Sequence, residues 1–312
     1  MRRWFCLVPV AVALCATACG GEDPADPPGD AGPPAFRCDF QQPLDGGVAC
    51  AVAPSATKDG TSDAFGHHAI GVPEAMSAQS PLFVFLRGTD SVPFDANTSE
   101  YEGTTLSRTQ EAVAHGALAL VIAYDNTGTV GSICGEDLDC YEAIRREVVE
   151  GIEAGDPDNA KDVHPPDDVM SRVDSLVAHL HGMDPGRFPA AIDWASATVG
   201  GGSQGAGHAA FIARTRKVAR ACMLAGPADG NAMLDPATWI VAGDWLTPTS
   251  ALRGVIHQDD PWFDKVTTNW AALGLLADEG WRKLVDVTDD PHGYVGSSEP
   301  APSAARLWAC HE

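Results

Sequence analysis

The chain has few basic side chains for its length. Of its 312 residues, 20 are lysine or arginine and 43 are aspartate or glutamate, which gives a formal net charge of −23. Nucleic-acid backbones and anionic lipid headgroups repel so negative a surface. The composition therefore excludes nucleic-acid binding and electrostatic adhesion to a membrane.

The N-terminal apolar stretch, residues 4–18, is too short to span a bilayer as a helix. It follows the basic start Met1-Arg2-Arg3 and ends in small residues, so residues 1–18 are expected to be a signal peptide. The sequence Ala16-Thr17-Ala18-Cys19-Gly20-Gly21 resembles a bacterial lipoprotein processing site, with Ala16 where leucine is usual. That resemblance implies lipidation of Cys19 and a lipid anchor as the only membrane contact; the alternative is ordinary cleavage and full secretion.

The segment after the processing site contains almost no apolar residue larger than alanine. Residues 21–34 are rich in Pro, Gly and Asp, and such a segment cannot bury enough surface to order itself. We expect residues 19–36 to be a disordered linker and residues 37–312 to be a single domain, since no internal repeat or second boundary is visible.

Cysteine usage favours an oxidising, extracytoplasmic compartment. Of nine cysteines, six lie beyond the signal region, and six permit 15 pairings. Proximity in the chain favours the disulfides Cys38–Cys50 and Cys134–Cys140, and the remaining pair is Cys222–Cys310. The alternative for Cys222 is a buried thiol in an apolar strand.

From residue 81 onward, predicted strands and helices alternate, which is typical of an α/β fold with a mostly parallel central sheet and helices on both faces. Residues 82–86 form a continuous apolar run, as a buried parallel strand should. Residues 38–74 are expected to supply antiparallel edge strands. Further strands are predicted at residues 117–124, 195–199, 218–224, 252–257 and 283–287, and helices at residues 104–115, 138–154, 169–180, 204–212, 263–276 and 302–308.

The glycine-rich stretch after residue 199 contains Gly201-x-Ser203-x-Gly205 between a predicted strand and a predicted helix. This pattern is the nucleophile elbow, in which a sharp strand-to-helix turn holds the serine hydroxyl above the sheet. The N-terminal N–H groups of the following helix would stabilise the negative charge that develops during acyl transfer. The pattern favours a serine nucleophile at Ser203.

Two other interpretations share these residues. Gly200-x-Gly202-x-x-Gly205 also matches the dinucleotide-binding fingerprint, but the acid expected about 20 residues on is missing, and the nearest is Asp229. A phosphate loop would need lysine where Ala206 stands. A glycine-rich turn without chemistry is the remaining alternative.

A nucleophilic serine needs a base, and the base needs an anionic partner. On this type of fold, the chain order is serine, acid, histidine. Of the histidines after the elbow, His311 is next to the terminus and was discounted, and His257 is expected to brace a loop. His292 follows the last predicted strand and is the predicted base.

The acid is expected on the loop after the preceding strand, at residues 252–257. Asp260 is our first choice there, with Asp259, Asp244 and Asp229 as alternatives. His257 and Asp260 could form a metal-binding pair, but no third or fourth ligand has suitable spacing. We therefore expect neither a metal nor an organic cofactor.

The oxyanion hole is expected to combine the N–H of Gln204 with one from the loop Arg87-Gly88-Thr89-Asp90, from Thr89 or Gly88. His208 could contact substrate, but a satisfied core histidine is the simpler interpretation. Five tryptophans near the proposed acid could line a pocket or belong to the core: Trp239, Trp245, Trp262, Trp270 and Trp281.

The elbow at Ser203, the Gly88-Thr89 turn, Asp260-Pro261 and His292-Gly293 together resemble the α/β-hydrolase superfamily. In related hydrolases, the first turn reads Pro-Gly-Thr-Gly, so Arg87 and Asp90 are departures. Three stretches resemble a mostly uncharacterised branch of bacterial secreted hydrolases: residues 201–209, residues 138–150 with Cys140 and Arg145-Arg146-Glu147, and Asn269-Trp270-x-x-Leu273-Gly274.

The resemblance implies a serine hydrolase of small-molecule or polymeric carboxylic esters. It would use Ser203, His292 and Asp260, with an acyl-enzyme intermediate and no cofactor. Amide or peptide hydrolysis uses the same residues and stays open. A non-catalytic binding lipoprotein with this fold is the alternative from another class.

Overall fold

The computed structural model describes residues 38–153 and 160–312 of the chain. The expected signal peptide (residues 1–18), the lipidation site Cys19 and the linker (residues 19–36) lie outside the described residues. In the described part of the chain, no helix is long and apolar enough to cross a membrane.

The described residues form a nine-stranded central sheet in the order β1-β2-β3-β7-β4-β8-β9-β10-β11, and β5 pairs with β6 separately. The six neighbouring strands β7, β4, β8, β9, β10 and β11 are parallel. At one edge, β1, β2 and β3 extend the sheet in antiparallel pairs. The sheet is therefore mostly parallel, as the sequence predicts. The strands are β1 (Asp39–Leu44), β2 (Gly47–Val52), β3 (His68–Pro73), β4 (Leu82–Leu86), β5 (Phe94–Asp95), β6 (Glu100–Tyr101), β7 (Leu118–Ile122), β8 (Thr198–Gly202), β9 (Arg220–Leu224), β10 (Leu252–His257) and β11 (Trp281–Leu284).

Helices cover both faces of this sheet. They are α1 (Pro54–Thr57), α2 (Thr105–Ala114), α3 (Val130–Cys134), α4 (Cys140–Glu150), α5 (Val169–Met183), α6 (Gln204–Thr215), α7 (Thr238–Val241), α8 (Phe263–Ala272), α9 (Pro291–Tyr294) and α10 (Pro300–Cys310). Successive side chains of a strand point to opposite faces. On β4, Leu82, Val84 and Leu86 join a core with α4, α5 and α6, whereas Phe83 and Phe85 join a second core with α2 and α10.

The parallel strands bring four chain segments to one edge of the sheet. Gly88 and Thr89 follow β4, Ser203 follows β8, Asp260 follows β10, and His292 follows β11. The carboxyl ends of parallel strands meet at the same edge, which is where such sheets collect their reactive groups.

The glycine-rich run differs from the prediction because it belongs to the sheet. The strand expected at residues 195–199 instead spans Thr198–Gly202. A Cβ on Gly200 would lie 2.5 Å from Sγ of Cys222 and 3.1 Å from the ring of Phe83. Glycine therefore lets the side chains of both neighbouring strands pack across β8.

The last strand lies earlier in the chain than the predicted residues 283–287. It spans Trp281–Leu284, because β10 ends at His257, which pairs with Leu284. Among the described residues, the ladder between these strands has this pair as its last, and Val287 is fully exposed.

Two helices end before the predicted residues, and both ends have a left-handed glycine nearby. The helix predicted at residues 138–154 ends at Glu150, followed by Gly151 with φ of 64°. The helix predicted at residues 263–276 ends at Ala272, shortly before Gly274 with φ of 77°. Glycine adopts this conformation without strain and commonly terminates helices. The short elements β5, β6, α1, α3 and α7 were not predicted.

Three disulfides join the pairs that chain proximity and elimination favour. Cys38–Cys50 links the segment before β1 to β2, and Cys134–Cys140 links α3 to α4. Cys222–Cys310 links β9 to α10. The C-terminus is therefore held, contrary to our reason for discounting His311, whose ring packs 4.9 Å from that of Phe83.

Candidate active site

Ser203 lies between β8 and α6 in a backbone conformation that residues other than glycine rarely adopt. Its φ is 53° and its ψ is −121°. Its N–H donates to the carbonyl oxygen of Leu224 on β9 at 2.7 Å. Such strain persists only where the surrounding structure enforces it, and it clusters at functional sites.

Gly201 and Gly205 flank Ser203 at positions that have no room for a side chain. A Cβ on Gly201 would lie 2.1 Å from the carbonyl oxygen of Gly205, and a Cβ on Gly205 would lie 2.1 Å from that of Leu86. Both obstacles are backbone atoms, so a side-chain rotation cannot relieve them. The sharp turn at Ser203 therefore requires glycine at both positions.

His292 contacts both Ser203 and Asp260. Its Nε2 lies 2.9 Å from Oγ of Ser203, and its Nδ1 lies 2.8 Å from Oδ2 of Asp260. It sits in α9, not in the predicted open loop, and Asp290 caps this helix by accepting the N–H of Gly293 at 3.0 Å. The cap holds the backbone that positions the imidazole.

The environment of His292 favours its protonated form. The hydrogen bond to Asp260 raises the pKa of His292, partial burial opposes this, and the charges of Asp260 and Asp290 add to the rise. A nearby anion stabilises imidazolium by attraction, whereas burial disfavours its charge. His292 is thus prepared to accept a proton from Ser203.

Asp260 is fixed through both carboxylate oxygens. Its side chain has no solvent exposure, and Oδ1 accepts the N–H of Trp262 at 2.8 Å while Oδ2 faces His292. Because the carboxylate cannot rotate without losing a hydrogen bond, it holds the imidazole in one orientation.

Two alternative acids have other partners. The carboxylate of Asp244 binds Arg214 through distances of 2.9 and 3.1 Å. Asp259 is exposed, and its N–H donates to Nδ1 of His257 at 3.1 Å. Neither carboxylate contacts His292 in the described part of the chain.

His257 joins the loops that follow β10 and β11. Its Nε2 lies 2.7 Å from the carbonyl oxygen of Asp286, while its Nδ1 accepts from Asp259. These are the loops that carry Asp260 and His292. The bracing role that the sequence suggested for His257 agrees with these contacts.

The fourth candidate acid, Asp229, forms a buried ion pair beneath the elbow. Nε and Nη2 of Arg145 each lie 2.6 Å from a different oxygen of Asp229, and Nε1 of Trp239 donates to Asp229 at 2.9 Å. Arg145 also donates to the carbonyl oxygen of Gln204 at 3.1 Å. The pair therefore supports the first turn of α6, a role that sequence reasoning missed.

The expected oxyanion donors lie around Ser203. Gln204 is the first residue of α6, so its N–H has no acceptor within the helix. A Cβ on Gly88 would lie 3.2 Å from Cβ of Ser203, so this loop approaches the serine closely. The hydroxyl of Thr89 donates to the side-chain oxygen of Gln204 at 3.2 Å, which ties the two donor segments together.

Two residues without a motif hold the loop after β4. Nδ2 of Asn126 donates to the carbonyl oxygens of Gly88 and Ser91, and the hydroxyl of Tyr124 donates to that of Arg87. Because these residues act through distant backbone carbonyls, no local sequence pattern identifies them.

Two pockets meet at Ser203. The larger, of about 370 Å³, is lined by Thr89, Tyr141, Gln204 and Trp262 among others. The smaller, of about 250 Å³, is lined by Gly88 and His292 among others. A substrate bond at Ser203 would therefore have space on both sides.

His208 is buried, as expected, but it is not satisfied. Within the described residues, neither ring nitrogen has a hydrogen-bond partner, and the ring packs edge-on against Tyr124 at 5.5 Å. Burial lowers the pKa of His208 well below 6.5, so the ring is neutral. The expectation of a satisfied histidine was wrong because none of the described side chains or backbone groups around this fully buried ring hydrogen-bonds to it.

The tryptophans divide between core and pocket. Trp239 and Trp270 are fully buried, and Trp245 and Trp281 pack partly buried against the same core. Trp262 is half-exposed and lines the larger pocket. Within residues 38–153 and 160–312, no group of three or more His, Cys, Asp or Glu side chains is placed to hold a metal ion.

Comparison with solved structures identifies the architecture. An S-formylglutathione hydrolase from Agrobacterium tumefaciens is 14% identical, with a TM-score of 0.50 over 86% of this chain and 96% of that chain. This chain has the α/β-hydrolase fold. Esterase B from Lactobacillus rhamnosis is 10% identical, with a TM-score of 0.49 over 86% of this chain and 85% of that chain. No protein-family model and no curated protein matches the sequence.

In the α/β-hydrolase fold, the nucleophile elbow precedes the acid, and the acid precedes the histidine. Ser203, Asp260 and His292 follow that order in the segments after the strands β8, β10 and β11. Their arrangement can deliver a serine oxygen to a carbonyl carbon and accept the proton that it releases.

Proposed function

We propose that the chain is a serine hydrolase of carboxylic esters that acts through Ser203, His292 and Asp260 and an acyl-enzyme intermediate. The row of hydrogen bonds supports this proposal: Oγ of Ser203 to Nε2 of His292 at 2.9 Å, and Nδ1 of His292 to Asp260 at 2.8 Å. The same two hydrogen bonds would also serve a serine that attacks other acyl groups, such as amides. Ester cleavage is the activity to test first.

In the first step, Oγ of Ser203 attacks the ester carbonyl carbon while Nε2 of His292 takes its proton. The imidazolium that forms lies against the buried carboxylate of Asp260, which offsets its charge. The carbonyl oxygen becomes negative and needs donors that are already in place.

The N–H groups of Gln204 and Thr89 are the proposed oxyanion donors, with Gly88 giving the loop its close approach. A preorganised donor of this kind contributes about 3 kcal/mol to the stability of the transition state. The contact between the Thr89 hydroxyl and the Gln204 side chain keeps the two segments in register.

To complete acylation, His292 gives the proton to the alcohol oxygen as the ester bond breaks and the alcohol leaves. Water then attacks the acyl-Ser203 ester, and His292 takes a proton of that water. His292 returns this proton to Oγ of Ser203 as the bond between the acyl carbon and Oγ breaks. The carboxylic acid leaves and the serine is regenerated, so atoms and charges balance over the cycle.

Labelling with a fluorophosphonate probe tests the nucleophile directly. We expect folded, oxidised protein to be labelled and to hydrolyse p-nitrophenyl butyrate, and Ser203→Ala to lose both properties. Ser196→Ala, at an exposed position before β8, is the matched control. Retained esterase activity in Ser203→Ala would end this assignment, and faster cleavage of the matched anilide would favour amide hydrolysis.

We further propose that the protein is an extracytoplasmic lipoprotein anchored through Cys19. The three disulfides support an oxidising compartment, where such bonds persist. Metabolic labelling with an alkynyl fatty acid should mark the protein in a bacterial host, and Cys19→Ala should abolish the label. Equal labelling of that variant would contradict the anchor.

A further inference from the structure

The smaller pocket beside Ser203 is positively charged, although the chain as a whole is strongly acidic. Two arginines line it, and none of its described lining residues is aspartate or glutamate. The larger pocket, in contrast, has two acids and two bases in its lining: Glu136, Asp229, Arg145 and Lys265. Acids outnumber bases 43 to 20 in the sequence, so the lining of the smaller pocket has the opposite sign of charge from the chain as a whole.

Hydrogen bonds hold Arg87 through two of its three guanidinium nitrogens. Its Nε donates to Oγ of Ser91 at 3.3 Å, and its Nη1 donates to the carbonyl oxygen of Glu102 at 2.8 Å and to Oγ1 of Thr105 at 2.6 Å. Its Nη2 has no hydrogen-bond partner among the described residues. The carboxylate of Glu102 accepts the N–H of Val92, and its charge raises the pKa of Arg87 without a hydrogen bond to that guanidinium.

The second arginine, Arg108, adds charge that is only partly compensated. It is 2% exposed, and its Nη1 lies 3.1 Å from Oε2 of Glu111. The other oxygen of Glu111 lies 2.7 Å from Nη2 of the equally buried Arg306. One carboxylate therefore serves two buried guanidinium groups, and the cluster keeps an excess positive charge.

Burial makes these charges costly without an anion. It lowers the pKa of Arg87, and it lowers that of Arg108 to about 10, so Arg108 stays protonated at neutral pH. A charged group removed from water is stabilised by an ion of opposite sign.

The position of His292 assigns this pocket to one side of the ester. His292 lines the smaller pocket and is not among the residues that line the larger one. Because His292 must return its proton to the alcohol oxygen, the alcohol portion belongs in the smaller pocket and the acyl chain in the larger.

We infer that the smaller pocket binds an anionic alcohol portion, with the guanidinium of Arg87 pairing with a carboxylate of the substrate. The substrates of this class are esters in which the hydroxyl group of a hydroxycarboxylic acid is acylated and its carboxylate is free. The inference rests on the proposed esterase function, because the choice of side depends on proton return from His292.

The test compares meta-carboxyphenyl butyrate with meta-carbamoylphenyl butyrate, which have nearly the same shape and differ in charge. We expect the native protein to favour the anionic ester in kcat/KM. Arg87→Gln should lower the ratio of anionic to neutral kcat/KM about tenfold or more, since a hydrogen bond to a charged group is lost. Arg87→Lys should retain part of the ratio.

Arg282→Gln is the matched control, because it removes the same charge on β11, away from both pockets. It should leave the ratio unchanged. The ratio also corrects for general damage to the loop after β4, which would slow both esters alike. An unchanged ratio in Arg87→Gln would overturn the inference while leaving the esterase function intact.

A binding measurement separates the two proposals if neither ester is cleaved. Calorimetric titration of the native protein with meta-hydroxybenzoate and meta-hydroxybenzamide needs no catalysis. Tighter binding of the carboxylate that disappears in Arg87→Gln would support the anion site even if the esterase proposal fails. Equal or absent binding of both compounds would reject the site.

Discussion

Nδ1 of His292 lies 2.8 Å from an oxygen of Asp260 whose side chain is completely excluded from solvent. A hydrogen bond to a buried carboxylate stabilises imidazolium more than one to an exposed carboxylate, because water does not screen it. This contact raises the pKa of His292 above its ordinary value of 6.5, and the pH dependence of activity should reflect it.

We expect kcat/KM for a neutral ester to rise with pH through a pKa above 6.5, the ordinary value for histidine. His292 accepts a proton only when it is neutral, and it is protonated below its pKa. Asp260→Asn should shift the acid limb of the profile to lower pH, and should also reduce the maximal rate by about 10⁴-fold, as in comparable triads.

Asp259→Asn, which changes the neighbouring exposed carboxylate, should leave the acid limb in place. Full pH–rate profiles of the native protein and both variants provide the measurement. A limb that does not move in Asp260→Asn would show that His292 is not the titrating base.

Gly205→Ala should destabilise the protein strongly. The new Cβ would lie 2.1 Å from the carbonyl oxygen of Leu86, and such overpacking costs about 3 kcal/mol or more when backbone must move. Gly182→Ala in α5 has no atom within 4 Å of the new Cβ. It should stabilise the protein by about 0.5 kcal/mol through helix propensity. Denaturant unfolding of both variants measures the contrast, and similar stabilities would contradict the tight elbow.

Asp229→Asn should cost about 3–5 kcal/mol of unfolding free energy, because it leaves the buried guanidinium of Arg145 without its carboxylate. Asp244→Asn should change stability far less, because this carboxylate is exposed and Arg214 keeps its pairing with Glu142. The double variant Arg145→Met with Asp229→Leu should be more stable than Asp229→Asn, since no charge stays buried alone. A double variant that is less stable than the single one would argue against this account.

Replacing Cys222 and Cys310 by alanine should destabilise the protein more than replacing Cys134 and Cys140. The first bond closes a separation of 88 residues and the second a separation of 6. Chain-entropy arguments give about 4.6 kcal/mol for the longer loop and about 2.2 kcal/mol for the shorter. Thermal unfolding of the two double variants under oxidising conditions checks the order, which the opposite ranking would refute.

Much of the architecture was visible in the sequence because its causes are local. The apolar run at residues 82–86 indicated a buried parallel strand, and it forms β4. Where the structure differed, tertiary contacts were responsible. The last pair of the ladder between β10 and β11, His257 with Leu284, ends β11 three residues before the predicted end at residue 287.

The candidate site divides in the same way. Ser203 could be recognised from its flanking glycines, because the sterics of a tight turn involve only nearby backbone. Among the four aspartates, only the packed structure brings Asp260 to His292, because that contact depends on where separate strands end. Tyr124 and Asn126 had no sequence signal, since they bind backbone carbonyls that any residue carries.

The amino-acid order alone was enough to predict the mostly parallel sheet and the tight turn at Ser203, because periodicity and turn sterics are short-range. Folding in three dimensions brought Asp260 to His292, paired Asp229 with Arg145, and placed Arg87 in the lining of a pocket whose described residues include no Asp or Glu. Distances between side chains far apart in the chain decide those pairings, and such distances exist only once the strands have packed.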